Sequence, residues 1–395
     1  MKKIFLAVWC LLLAACGPSA PTSNPVATNT PNLQTTPSPN HPTTEPPNSL
    51  SSQPTQSLIT PSPNFTPTPA PTPTIVPTLP ATSTPTATLK QLTTGGCCVQ
   101  PFWSPDSKQV LFIDKPDAKS PVGIYAVDVD APNTPKLWRE QIAFYTNDLQ
   151  YAETFADPYT LIERVSDGKR WKVQTGGRVV SLSPDRTRGV WSESPNTFPI
   201  ENRVTNIMLV TLAADGKSST RVLTTVLRGG AAGWLDDQQL LMTGRLSRTS
   251  NVVTLFVYSL ADGSKQELVQ SERLRGTSLS RGGAWLAYTI AFDKDAAQDG
   301  LWLVRTDGTS RKKMDFFGAF QWRDHQRLVY IPLQPGATSN ILYEYDAETN
   351  SMRQLTDPQT ASFKIANGDW AISPDGNKVV FVNADDQNLW LIDLP

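Results

Sequence analysis

Histidine is nearly absent: the 395 residues hold two, His41 and His325. A zinc centre needs three or four ligands, and no His-Glu-x-x-His stretch occurs. A Ser-His-Asp triad would have to use His325, and no Gly-x-Ser-x-Gly elbow supports one. Long apolar runs are missing as well. The run at the start, Ile4 to Ala14, covers about eleven residues, too few to cross a ~30 Å bilayer core as a helix. No charge of one sign predominates: 35 basic residues face 36 acidic ones, a net of -1. Such a balance offers no general attraction for nucleic acid, which clustered Lys and Arg provide. Cysteine is scarce at four, and only Cys97 and Cys98 lie beyond the first twenty residues.

What the first residues do contain is a processing signal. Lys2 and Lys3 precede the short apolar run, which ends in Leu13-Ala14-Ala15-Cys16. A basic start, a short apolar core and small residues fit a secretory leader. With Cys16 at that offset the segment resembles a bacterial lipobox. The resemblance implies a leader over 1–15, acylation of Cys16 and anchorage in the cell membrane or the outer membrane, on the extracytoplasmic side. Multiple acyl chains hold far better than one, because each buried CH₂ contributes about 0.8 kcal/mol.

Proline is plentiful, 34 residues, but gathered between 17 and about 88 among Thr, Ser and Asn. Glu45 is the lone charge there. Too few large apolar side chains are present to offset the entropy of ordering. Residues 16–88 are therefore expected to be a disordered, polyproline-biased tether, roughly 220 Å long if fully extended at ~3.1 Å per residue.

The remaining stretch, 89–395, is built on repeats. Phe102-Trp103-Ser104-Pro105-Asp106-Ser107, Leu182-Ser183-Pro184-Asp185 and Ile372-Ser373-Pro374-Asp375-Gly376 each precede a short apolar run. Trp234-Leu235-Asp236-Asp237, Leu279-Ser280-Arg281-Gly282-Gly283 and Trp322-Arg323-Asp324-His325 keep the pattern without Pro. Pro presets φ at the second turn position, and Asp and Gly supply turn chemistry. Each copy reads as strand, tight turn, strand, then a third and fourth strand. Four short strands per repeat of about 40 to 50 residues mark a propeller blade.

These repeats resemble the TolB-like β-propeller family, whose units carry a Trp-Ser-Pro-Asp-Gly turn. The resemblance implies an all-β propeller over 89–395. Pro105 and Pro184 stand 79 residues apart, about two repeats, so a degenerate blade is expected between them, with Thr160–Val165 and Trp171–Val173 among its strands. That makes seven four-stranded blades, with six as the alternative. Lys90-Gln91-Leu92-Thr93 echoes Arg353-Gln354-Leu355-Thr356. The last repeat stops after its third strand, so residues 89–93 are expected to close the ring as its fourth.

Candidate site residues follow from this layout. Asp293, Asp295 and Asp299 fall between the second and third strands of one blade, and Asp385 and Asp386 at the matching point of another. Arg245 and Arg248, and Glu201 with Arg203, occupy equivalent loops. Propeller loops of this kind line one face. Asp-x-Asp could offer carboxylate oxygens to Ca²⁺, but such loops are commonly polar hairpins, and no metal or cofactor is expected. Cys97-Cys98 is open to three readings: a vicinal disulfide, separate thiols, or a metal or redox role. The recurrent Trp103, Trp191, Trp234, Trp322 and Trp390 read as core between sheets, and His325 as a solvated turn residue.

The expectation is a monomeric, membrane-anchored, non-enzymatic lipoprotein whose propeller binds a protein or glycan partner at one face. The alternative is a propeller enzyme acting on glycans, in the manner of a lyase. Similar lyases rely on clustered His and metal ligands, which this chain does not supply.

Overall fold

The computed structural model describes residues 87–132, 135–194 and 203–395. The expected leader, Cys16, the tether up to residue 86, and Glu201 lie outside the described residues. The described part contains strands and no helix, grouped into six antiparallel sheets.

Five of the sheets have four strands. They span 99–139, 144–173, 274–313, 318–354, and 365–393 together with Thr88–Gln91. In each, consecutive strands pair with their neighbours, as short turns with Pro, Asp and Gly dictate. The stretch between Pro105 and Pro184 holds a complete four-stranded sheet, with strands Tyr159–Arg164 and Lys169–Val173 at its outer side. Its first turn, Thr146-Asn147-Asp148-Leu149, uses the same bonds as Ser-Pro-Asp-Ser without the proline, because Thr146 Oγ1 donates to Asp148 Oδ1 as Ser104 does to Asp106.

The sixth sheet corrects the expectation of seven separate four-stranded blades. It spans 181–271 and has seven strands. The reason lies in one strand, Ser218–Trp234, which runs for 17 residues without a break. Residues 218–227 pair with Val204–Leu212, and 227–234 pair with Gln239–Arg245. Between Leu227 and Gly230 the register shifts through a bulge where Arg228 takes φ 50°. A Cβ on Gly229 would collide with the carbonyl of Thr243, so glycine is what lets the strand turn there. The two halves of this sheet pack face to face: Val190, Ile207 and Leu209 of one meet Leu240, Met242 and Phe256 of the other.

The core lies between adjacent sheets. Trp103, Val110 and Phe112 pack on Val380, Val382 and Leu389, and Trp285 and Leu303 on Trp322 and Tyr330. Period-2 alternation puts these side chains on the buried sides of their strands. Trp103, Trp191 and Trp322 are buried, while Trp234 and Trp390 are half-buried.

Thr88–Gln91 lies antiparallel on Leu389–Asp393, with Leu89 opposite Ile392 and Gln91 opposite Trp390. The start of the described chain and its end therefore share one sheet. Leu92 follows directly, is buried among Trp103, Val380 and Leu391, and donates its N–H to the carbonyl of Leu389 at 2.8 Å.

Candidate functional site

Strands alternate in direction within each sheet, so the connections fall on two faces. The first-to-second and third-to-fourth turns share one. The second-to-third loops and the links between sheets share the other.

The turn face is closely tied. Ser104 Oγ and Ser183 Oγ each donate to the turn aspartate two residues on, Asp106 and Asp185, at 2.6 Å. The hydroxyl of Ser104, helped by the Lys108 N–H, lowers the Asp106 carboxyl below its ordinary value. Turns of neighbouring repeats then lock together. Asp375 N–H donates to Ser107 Oγ at 3.1 Å, Asp185 N–H to Asp237 Oδ1 at 2.8 Å, and Arg186 pairs with Asp148 at 2.8 Å. The indoles of Trp103, Trp234 and Trp322 donate to Ala371, Ser181 and Ser278 carbonyls at 2.8 to 3.0 Å. Arg281 reaches past the neighbouring sheet to the Ser373 carbonyl at 2.9 Å. A depression of about 420 Å³ on this face is lined by Pro184, Trp234, Asp236, Asp237 and Ser280. Its carboxylates are engaged, Asp237 by Asp185 and Asp236 by the Gln238 N–H at 2.7 Å.

The loop face carries the candidates read from sequence. Asp299 Oδ1 accepts from Asp293 N–H, Asp293 Oδ1 from Asp295 N–H, and Asp295 Oδ1 from Ala297 N–H, at 2.8 to 3.0 Å. These bonds make the loop a self-capped hairpin. Asp386 takes the Asn388 N–H and the Trp390 indole, each at 3.0 Å. Burial pushes its carboxyl up, but these donors outweigh that and lower it. Asp385 beside it is exposed. Arg245 is buried and donates to the Arg248 carbonyl at 2.6 Å, which brings those two together, while Arg248 is exposed. His325 is exposed in its turn on the opposite face.

Cys97 and Cys98 are joined by a disulfide. The pair ends the link 92–98 between the closing strand and the first sheet. Cys97 N–H donates to the Gln387 carbonyl at 2.8 Å, and Gly96 N–H to Asn388 Oδ1 at 3.1 Å. Cys98 is buried at φ 83°. With Asp114 the two cysteines form the group of three among the described residues that lies close enough to hold a metal. Both sulfurs are engaged in the S–S bond, and thiolates are the ligating form.

Two features gave no sequence signal. Glu153 is buried in the second sheet, its carboxylate taking the Val180 N–H at 2.9 Å, and burial raises its pKa to about 7. Glu344, also buried, is gripped by Arg323 and by Arg353 at 2.7 Å. Both arginines also donate to the Pro395 carbonyl, at 3.3 and 3.1 Å. That cluster ties the 318–354 sheet to the end of the described chain. A single acidic residue in a strand carries no mark of its depth, which packing decides.

No family model matches the chain, and no curated protein matches it. Solved structures do. An oligogalacturonate lyase in complex with manganese shares 13% identity at a TM-score of 0.52, over 78% of this chain and 97% of that one. An oligogalacturonate lyase from Vibrio parahaemolyticus shares 12% at 0.53, over the same shares. TolB from Acinetobacter baumannii shares 13% at 0.37, over 69% of this chain and 76% of that one. At these identities the likeness shows the fold alone, an all-β propeller type.

Proposed function

We propose that this chain is an envelope lipoprotein, anchored through Cys16, whose propeller serves as a non-enzymatic binding scaffold with the loop face as its binding surface. The observation that carries this reading is how the side chains of that face are engaged. The carboxylates of Asp293, Asp295, Asp299 and Asp386 serve their own loops, while large apolar side chains stand exposed beside them. Such a surface suits adhesion, whereas acid–base catalysis needs groups aimed at a shared reacting atom. Within this reading the seven-stranded sheet is two blades sharing one strand, which makes seven blades.

The anchor is tested by Cys16→Ser. The parent chain incorporates a clickable fatty acid and sediments with membranes, whereas the variant does neither. Equal labelling of both would remove the anchor.

The second reading is a propeller enzyme acting on glycans. The likeness to two oligogalacturonate lyases favours it. Incubation with oligogalacturonate, with and without manganese, distinguishes the readings: growth of the ultraviolet absorbance of an unsaturated uronate would establish a lyase. The scaffold reading expects none.

A further inference from the structure

The exposed apolar side chains are not spread evenly over the propeller. Nine of the twelve large ones among the described residues lie in second-to-third loops, in links between sheets, or at the first residue of a first strand. All of these positions belong to the loop face. Of the other three, Leu137 and Met352 sit on outer fourth strands and Val222 on the long strand Ser218–Trp234. None lies in the short turns.

The most prominent are Phe292 at 80% exposure, Leu333 at 66% and Phe317 at 63%. Val122, Val179 and Leu246 stand in loops of other sheets. These tips come from the loops and links of five of the six sheets, with none from the 365–393 sheet. Two depressions, of about 420 and 340 Å³, lie on the turn face. Protein partners are commonly held by aromatic anchors entering well-packed pockets near an interface centre. Scattered protruding tips suit a planar, fluid, apolar partner that conforms to each of them.

The chain outside the described part decides which such partner is within reach. It enters the propeller at Ala87, and Thr88 pairs with Asp393 at the turn-face end of the last sheet. Seventy residues separate Cys16 from Ala87, on the order of 200 Å if extended at ~3.1 Å per residue. A contour of that length puts either face within reach of the surface holding Cys16, so an acylated Cys16 would confine the propeller near that surface. Interfacial contacts too weak to recruit a free protein then suffice to seat a tethered one.

We infer that the loop face docks on a lipid bilayer, its apolar tips entering the interfacial layer. The inference rests on reading that face as the binding surface, and it names the occupant. Charge around the tips is mixed: Asp293, Lys294 and Asp295 follow Phe292, while Arg245 and Arg248 flank Leu246 and Lys312 and Lys313 precede Phe317. With no single sign predominating, apolar insertion and not headgroup charge drives the contact, so a zwitterionic bilayer suffices.

The test uses the full chain in phosphatidylcholine vesicles, with a benzophenone crosslinker introduced as Phe292→p-benzoylphenylalanine. A second protein carries it as Asp262→p-benzoylphenylalanine, in a short turn of the opposite face. After irradiation, lipid adducts are expected at position 292 at least tenfold above position 262. Adding Phe317→Ser and Leu333→Ser should cut the adduct at 292 at least fivefold with an unchanged melting temperature. Equal yields at the two positions, or no lipid adduct at 292, overturn the inference whether or not Cys16 carries acyl chains. Chain-to-chain adducts at 292 would assign the face to a second copy. Repeated on whole envelopes, a single protein adduct at 292 in place of lipid would overturn the bilayer while leaving the binding face in place.

Discussion

The N–H of Leu92 donates to the carbonyl of Leu389 at 2.8 Å, joining the first described turn of the chain to its last strand. Next to it Thr93 Oγ1 accepts the Leu389 N–H at 2.9 Å. These bonds extend the pairing of Thr88–Gln91 with Leu389–Asp393, so the last sheet is completed by the first described strand. An unpaired edge there would expose a hydrogen-bonding template.

Leu92→Asp should destabilise the protein by about 3 kcal/mol, because it buries an unpaired carboxylate among Trp103, Val380 and Leu391. The check is urea unfolding of the full chain at neutral pH. An unchanged midpoint would mean that the seam contributes nothing to stability.

Glu153 predicts a pH dependence whose sign is set by its raised pKa. Its folded value of about 7 exceeds its ordinary 4.5, so the fold holds the proton more tightly than the unfolded chain does. Its stabilising share is full below the ordinary value and is lost as pH rises through the folded one. The loss is on the order of 3 kcal/mol, from a shift of a few pKa units. Glu153→Gln keeps an acceptor for the Val180 N–H and removes the titration. Relative to that variant, the wild type should lose stability between about pH 5 and pH 8. Parallel stability curves for the two proteins would refute the assignment.

Asp386→Ala removes the acceptor shared by the Asn388 N–H and the Trp390 indole. A cost of about 1 to 2 kcal/mol is expected, whereas Asp385→Ala, at an exposed position, should be nearly neutral. Millimolar calcium should leave the melting temperature of the wild type unchanged. A saturable rise on adding calcium would show that the acidic loops hold a cation after all.

The disulfide predicts a thiol count. Protein denatured without reductant should give no thiol from Cys97 or Cys98, and reduction should release two. Two thiols before reduction would mean that the pair is open in the isolated protein.

The four-strand repeat was legible because its instructions are local. A hydroxyl two residues before a carboxylate, with Pro between, closes the turn at Ser104, Ser183 and Ser373 without help from elsewhere. Alternation along each strand then assigns Trp103, Phe112 and Val380 to the core. The ring seam was legible for a related reason: the Gln-Leu-Thr echo at 91–93 repeats a fourth-strand pattern where the last repeat has only three strands.

The loop candidates show where local reading stops. An Asp-x-Asp stretch has the same composition whether its carboxylates bind a cation or their own backbone. The path of the loop from Asp293 to Asp299 decides between them, and here one oxygen of each carboxylate closes on a nearby N–H.

The amino-acid sequence by itself determined the strand repeats, their turns, the order in which they pair and the continuity of the ring, because all of these depend on short-range hydrogen bonding and period-2 patterning. Only the tertiary structure decided that Ser218–Trp234 runs unbroken from one half-sheet to the next, since strands on either side pull it into both ladders and Gly229 leaves room for the bend. It also decided which apolar side chains stay in solvent. Phe292 and Phe381 are the same residue type, yet one is 80% exposed and the other 1%. That difference depends on whether a neighbouring sheet lies over the side chain, which no stretch of sequence around it records.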